Sequence, residues 1–351
     1  MNNNEVVLKK DSKNKIRVDY EGKLSLKDRL FSKVKTFNTY IKVIVNIFRF
    51  ILMLGVSYVI LQPFFARIAN SFMSRGDILD PTVSLIPKAF NLEIYKAIII
   101  ENHYFEALWH TALLALVCAL IQTMIACLVG YGLAKFKFKG NSIIMGLVVV
   151  TMIIPHEALF LAFKEHFTKF DILAVQSWGV PGPIELMFGS TVEITNTFLP
   201  LMLISLGGFA FKNGLYIYLM RQFFKGVPDE LEESAYVDGS GVFRTFVQII
   251  IPLSVPMMIT IFLFSFSWQW TDEFYVNLFW SSGNGFYLMP DIYKSAPQSI
   301  VNQFQMAAGW TQYKNVIQNT AGILIISPLV FVYLFCQRYL VQGIERSGIV
   351  G

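Results

Sequence analysis

The chain has 351 residues, of which 54% are hydrophobic and 15% charged, with mean hydropathy +0.52. Soluble domains carry about a quarter charged residues, so this composition argues against a soluble enzyme and fits a chain solvated largely by lipid. The formal charge of +5 does not mark a nucleic-acid binder, because 12 of the 29 basic residues crowd into the first 49 positions, where they suit an anionic membrane surface.

Residues 1–40 are polar and lysine-rich, with a weakly amphipathic stretch at 24–37. The start, MNNNEVVLKK, is too polar for a signal peptide, and a cytosolic basic tail is expected here. Six apolar segments follow, at about 41–65, 107–133, 143–163, 198–224, 246–268 and 320–340. Each is long enough to cross a hydrocarbon core of roughly 30 Å as a helix. Lipid offers no partners to an open backbone, so an all-α polytopic membrane protein with about six transmembrane helices is expected. Residues 41–340 form the predicted transmembrane domain and 341–351 a short C-terminal tail. With the N-terminus inside, cytosolic segments hold 20 basic residues and external loops eight. That bias follows the positive-inside rule and predicts both termini in the cytosol. The long external loops fall at 67–106, 164–197 and 270–319. Cys118, Cys127 and Cys336 lie in apolar runs without metal or disulfide spacing and read as packing residues.

The cytosolic connection after the fourth segment reads PDELEESAYVDGSGVFRTFVQIIIPLSVP over residues 228–256. Pro228 suits the first turn of a helix, where its missing N–H is unneeded. Asp229 and Glu230 sit near the positive end of that helix's dipole. Leu231 and Ala235 share one face and Glu232 and Tyr236 another. Asp238-Gly239 supplies the end, with glycine free to take positive φ. A short helix with apolar and acidic stripes, ended by a sharp turn, is suited to seat in a cleft on another protein.

Spacing carries the reading further. Glu233, Ser234 and Ala235 lead to Asp238-Gly239, and nine residues later come Ile249, Ile251 and Pro252. This resembles the EAA signature of permease subunits of bacterial ABC importers, with Ser234 where alanine is usual and Ile251 where leucine is usual. The run Gly130-Tyr131-Gly132-Leu133-Ala134-Lys135-Phe136, the run Met220-Arg221-Gln222-Phe223-Phe224, and the ending from Gln337-Arg338-Tyr339 to Gly351 resemble carbohydrate permeases, nearest the maltose-type second permease. The resemblance covers about 50–351, apart from the 164–197 loop. It implies a MetI-like permease fold with a cytosolic coupling helix at 228–241. It further implies a bacterial cell-membrane location, a second permease as heterodimer partner, two ATPase subunits, an external solute-binding protein and a sugar substrate, an oligosaccharide by that likeness. Glu232, Glu233, Ala235, Asp238 and Gly239 would then meet the ATPase.

No GxxxxGK[ST] pattern occurs, so ATP and magnesium are expected on the partner subunit and no cofactor on this chain. No nucleophile motif marks an enzyme, and His156, Glu157 and His166 lack metal spacing. Trp268, Gln269, Trp270, Asp272, Tyr275 and Trp280 are the candidate contacts for a sugar or a solute-binding protein, with an aromatic interfacial belt as the alternative. Lys212, inside an apolar run, either faces a watery cavity or marks a helix that starts near Phe209 and lets it snorkel. The rival functions are an ion-coupled secondary transporter, for which buried acids and repeats are lacking, and an importer of a non-sugar solute such as glycerol phosphate.

Overall fold

The computed structural model describes residues 7–10, 16–19, 37–171, 181–280 and 286–346. The stretch at 24–36, Trp178 and the ending 347–351 lie outside the described residues. The chain divides into two compact units, Met1–Ala66 and Arg67–Gly351. The first holds an antiparallel hairpin, β1 (Val7–Lys10) and β2 (Ile16–Asp19), paired Val7 to Asp19 and Lys10 to Ile16. It also holds most of α1 (Phe37–Ser71), so the first helix starts inside the segment expected as tail. The apolar side chains of α1 are exposed along its length, as a helix facing lipid requires.

The second unit is helical. Its elements are α2 (Arg75–Leu79), α3 (Glu93–Glu101), α4 (Tyr104–Lys135), α5 (Asn141–Ile153), α6 (Phe160–Thr168), α7 (Pro183–Phe188) and α8 (Leu199–Leu206). They continue as α9 (Asn213–Lys225), α10 (Glu230–Val237), α11 (Val242–Thr245), α12 (Ile251–Trp270), α13 (Phe274–Phe279), α14 (Met289–Lys294), α15 (Gln298–Phe304) and α16 (Trp310–Arg346). Helix α4 is apolar on every side: one side packs on α9 and α12, with α8 beside it, and the other, carrying Leu113, Leu116, Leu120, Met124 and Leu128, is exposed. Cys118 and Cys127 pack inside it, as their apolar surroundings predict.

The buried apolar side chains form three clusters. One joins Tyr131, Met220, Phe224, Phe246 and Ile250 at the end carrying Lys135. A second joins α3, α14 and α16 to the far ends of α4 and α12. The third packs α6, α8 and α13 around Leu114 and Cys118. Helices approach closely where a side chain is missing: a Cβ on Gly214 would lie 2.5 Å from Thr151 Oγ1 and 2.9 Å from the Val148 carbonyl.

Two of the six expected spans are interrupted. Among the described residues four helices are long and apolar enough to cross a membrane, and a bent pair makes a fifth candidate. In that pair Asn141–Ile153 and His156–Thr168 meet at 93°. Pro155 has no N–H and pushes Ile154 to extended backbone, so α5 cannot continue through it. The segment at 198–224 is two helices, because Gly208 at φ +76° and Lys212 at φ +64° unwind the chain between α8 and α9. The last helix, by contrast, runs well beyond 320–340 at its start. The first turn of α12 carries Pro252 and is preceded by a π turn at Phe246–Ile250, the wider winding that accommodates the missing donor.

Candidate functional site

Two groups of residues are assembled by this fold, one at the Lys135 end of the bundle and one midway along it. At the first, α9 ends in Gly226, and the chain turns through Val227-Pro228 into α10. The Asp229 carbonyl accepts the Glu232 and Glu233 N–H groups at 3.0 Å each, which starts the helix. Lys135, its side chain 6% exposed, donates to the Val227 carbonyl at 2.6 Å and to Asp229 Oδ1 at 2.5 Å. The last residue of α4 thus grips the entrance to α10. The Lys135 ammonium holds the Asp229 carboxyl below the usual carboxylate range.

The far end of α10 closes as a Schellman motif: Gly239 N–H bonds the Tyr236 carbonyl at 3.0 Å and Ser240 N–H the Ala235 carbonyl at 2.9 Å. Gly239 sits at φ +81° with open space around it, so its backbone angle rather than crowding demands glycine. Thr245 Oγ1 donates to Ser240 Oγ at 3.1 Å, tying this turn to α11 and onward to α12.

The five residues nominated here divide. Glu233, Asp238 and Gly239 are exposed, beside an apolar patch of Leu231, Val237, Val242 and Phe243. Glu232 and Ala235, three apart and so on one face, turn inward and are buried. The apolar stripe expected to seat in a partner is therefore split, with Ala235 packed against this chain and Leu231 outside. Glu232 Oε1 and the Tyr131 hydroxyl are both buried without a hydrogen-bond partner, and the two groups interact electrostatically. The Tyr131 ring packs on Phe136, Phe224 and Phe246, at 4.8 Å from the last, so α10 leans on the same aromatic cluster that joins α4, α9 and the start of α12.

Midway along the bundle, Gln122 of α4 is buried and bridges two helices. Its Nε2 donates to Ser205 Oγ at 3.2 Å, and its Oε1 accepts from Ser265 Oγ at 2.7 Å. Phe211, Trp268, Gln269 and Asp272 line a small space beside Gln122 and Ser265. Lys212 Nζ lies 5.3 Å from the Trp268 ring and 4.8 Å from the Phe211 ring, a cation–π arrangement. Gln269 Nε2 reaches Asp272 Oδ2 at 3.5 Å.

Of the seven residues nominated for solute or binding-protein contact, Lys212, Trp268, Gln269 and Asp272 are brought together. The other three are core residues, which corrects that expectation. Trp270 donates its indole N–H to the Ile325 carbonyl at 2.9 Å. Tyr275 is buried against Phe279 with its hydroxyl 2.5 Å from His156 Nδ1. Trp280 is buried and stacks on Phe286. Gln122 and Ser265 were missed from sequence, although a glutamine inside the apolar run at 107–133 was the available signal. No cluster of three or more metal-ligating side chains occurs among the described residues. Lys212 directly precedes α9, close to the later helix start that would free it, and it also lines a cavity.

Asp272 lies just past the end of α12, and burial pushes its carboxyl up to about 7. An acid whose folded pKa is raised binds more protons folded than unfolded between about pH 4 and 7. Its stabilising contribution is complete below the unfolded value and is lost as pH rises through about 7. Thermal melts of the purified protein from pH 4.5 to 8 are expected to show the midpoint falling, with Asp272→Asn flattening that slope. An unchanged slope in the variant would mean another group titrates there.

A bundle of broken and unbroken apolar helices, with one exposed short helix wired to its core at one end and a polar layer at mid-depth, defines a multi-pass membrane transport subunit. Residues 122–346 match the family of binding-protein-dependent transport system inner membrane components, and the chain belongs to that family, the permeases of ABC importers. It is 27% identical over 291 residues to a probable starch degradation products transport system permease of Thermoanaerobacterium thermosulfurigenes, covering 82% of this chain and 91% of that one. It is 25% identical to an sn-glycerol-3-phosphate transport system permease of Brucella abortus strain 2308, covering 85% of this chain and 94% of that one. Its fold matches a chain in the crystal structure of a bacterial ABC transporter for the acidic polysaccharide alginate, with TM-score 0.62 and 18% identity over 91% of this chain and 99% of that one.

Proposed function

We propose that this chain is one of two permeases in an ATP-driven importer for a carbohydrate, specifically an oligosaccharide, and that α10 is its coupling helix. The observation that carries the reading is the two-sidedness of α10. Its outer face offers Glu233, Val237, Asp238 and Gly239, while Glu232, Ala235 and the Lys135–Asp229 pair tie its inner face to α4. A rigid element held at both ends transmits a push; a frayed connecting loop does not.

In this reading two partner ATPases bind ATP with magnesium and close on cytosolic α10. The displacement passes through Tyr131 and the π turn to α4 and α12, and the bundle opens outward to receive sugar from an external binding protein. Both termini are then cytosolic. Family membership disfavours the ion-coupled secondary transporter, and the relative named for starch degradation products supports a sugar.

Reconstitution with both ATPases, the second permease and the binding protein tests this. Binding-protein-stimulated ATP hydrolysis is expected to fall about tenfold in Glu233→Ala and Gly239→Asp, the scale of a coupling energy between sites, with the complex still assembled by gel filtration. Full stimulation in both variants would defeat the coupling assignment.

A further inference from the structure

The break between α8 and α9 opens a cavity of about 290 Å³ against the bend after α5, and no part of the proposed coupling mechanism uses it. Its lining includes Pro155, His156, Glu157, Phe211, Lys212 and Asn213. Helix α9 has 13 residues, so its first turn lies roughly 20 Å from its Lys225 end at 1.5 Å per residue. That span places the first turn well inside a core about 30 Å thick.

Three features of this cavity point to a ligand. Asn213 is 0% exposed, yet neither its Oδ1 nor its Nδ2 has a hydrogen-bond partner. A buried amide left unpaired is costly, and a polar occupant of the adjoining space removes that cost. No side chain caps the first turn of α9, so the positive end of its dipole faces the same space. Lys212 is the one lysine or arginine among the lining residues, and it forms no ion pair among the described residues. The opposing charge is Glu157, which is exposed at the rim, while His156 is engaged by the Tyr275 hydroxyl. Discontinuous helices whose N-termini point at anionic groups near the midplane are a known solution to binding in transporters.

We infer that this cavity is a subsite for an anionic substituent carried on a sugar, the carboxylate of a uronate residue. The Lys212 ammonium, the Asn213 amide and the uncapped turn of α9 supply donors to the carboxylate. At about 290 Å³ the space is at the small end of ligand pockets and suits one sugar unit rather than a chain. This inference rests on the reading of the chain as a carbohydrate permease, and it narrows the substrate to an acidic glycan fragment.

Equilibrium binding to the intact importer in lipid nanodiscs, without ATP, tests it with trigalacturonate, maltotriose and glycerol 3-phosphate as probes. Trigalacturonate is expected to bind at least about tenfold tighter than maltotriose, as a charge-assisted contact requires. Lys212→Met is expected to abolish that preference and Lys212→Arg to keep most of it. Asn213→Leu is expected to weaken trigalacturonate about tenfold while its ligand-free melting point holds or rises, because an unpaired amide has been removed. A residue serving only structure would instead lose stability. Equal binding of acidic and neutral trisaccharide, an unaffected Lys212→Met, or no binding of any probe would overturn the proposal. Tighter glycerol 3-phosphate that is lost in Lys212→Met would also overturn it, transferring the site to a phosphate. Stimulated ATPase in Glu233→Ala is independent of these outcomes, so failure of the subsite and failure of the coupling reading are distinguishable.

Discussion

Trp270→Ala is expected to destabilise the protein by about 3–5 kcal/mol, the usual cost of emptying a large buried aromatic site, whereas Trp268→Ala is expected to cost only about 1 kcal/mol, the scale of an exposed cation–π contact. The two tryptophans are separated by one residue and look equivalent in sequence. Trp270 is 3% exposed and Trp268 47% exposed. The Trp270 ring packs with Phe266 at 5.5 Å, and its N–H bonds the Ile325 carbonyl across to α16. Its removal leaves a cavity and loses one hydrogen bond across to α16 in the cluster joining α12 to α16. Thermal melts of the two variants in the same detergent measure the difference. Equal midpoints would contradict the placement of the two rings.

A loss of similar size is expected at Gly130. A Cβ built there would lie 2.6 Å from Met220 Cβ and 3.0 Å from the Arg221 backbone N, so the obstruction includes main chain that cannot rotate away. Gly130→Val therefore forces α4 from α9 next to the cluster that supports α10. Overpacking of this kind costs about 1–3 kcal/mol, more where backbone is met. Gly132, two residues on, has nothing within 4 Å of a Cβ, and Gly132→Ala is expected to be neutral or to gain up to about 1 kcal/mol from helix propensity. Melting points of the pair, with gel-filtration profiles of the assembled importer, check the contrast. A Gly130→Val protein as stable as the wild type would mean the helices are not in contact there.

The short helix α10 is the most legible part of this chain. Its signals are local: proline at a helix start, acids in the first turn, and Asp-Gly at the end each act within a few residues. The Schellman closure at Gly239 follows from that local chemistry. The polar layer was only half legible. Lys212 stood out as a charge in an apolar run, whereas Asn213 and Gln122 were passed over because a single amide in a hydrophobic segment is a weak departure from pattern. Trp270, Tyr275 and Trp280 were misplaced because aromatic composition has no direction. Which side of a helix end faces the core depends on partners far away in the chain, the Ile325 carbonyl for Trp270 and His156 for Tyr275.

By itself, then, the sequence determined a membrane environment, a helical bundle and a short exposed helix of stated position, because lipid leaves a backbone few options and capping chemistry is short-ranged. Tertiary structure alone decided that the segments at 143–163 and 198–224 are broken, that Glu232 turns inward, and that Lys212 and Asn213 meet the bend after α5 around one cavity. Hydropathy averages over a window and cannot register one proline or two left-handed residues that unwind a turn. The cavity exists only because those two interruptions, about fifty residues apart in the chain, are packed against each other.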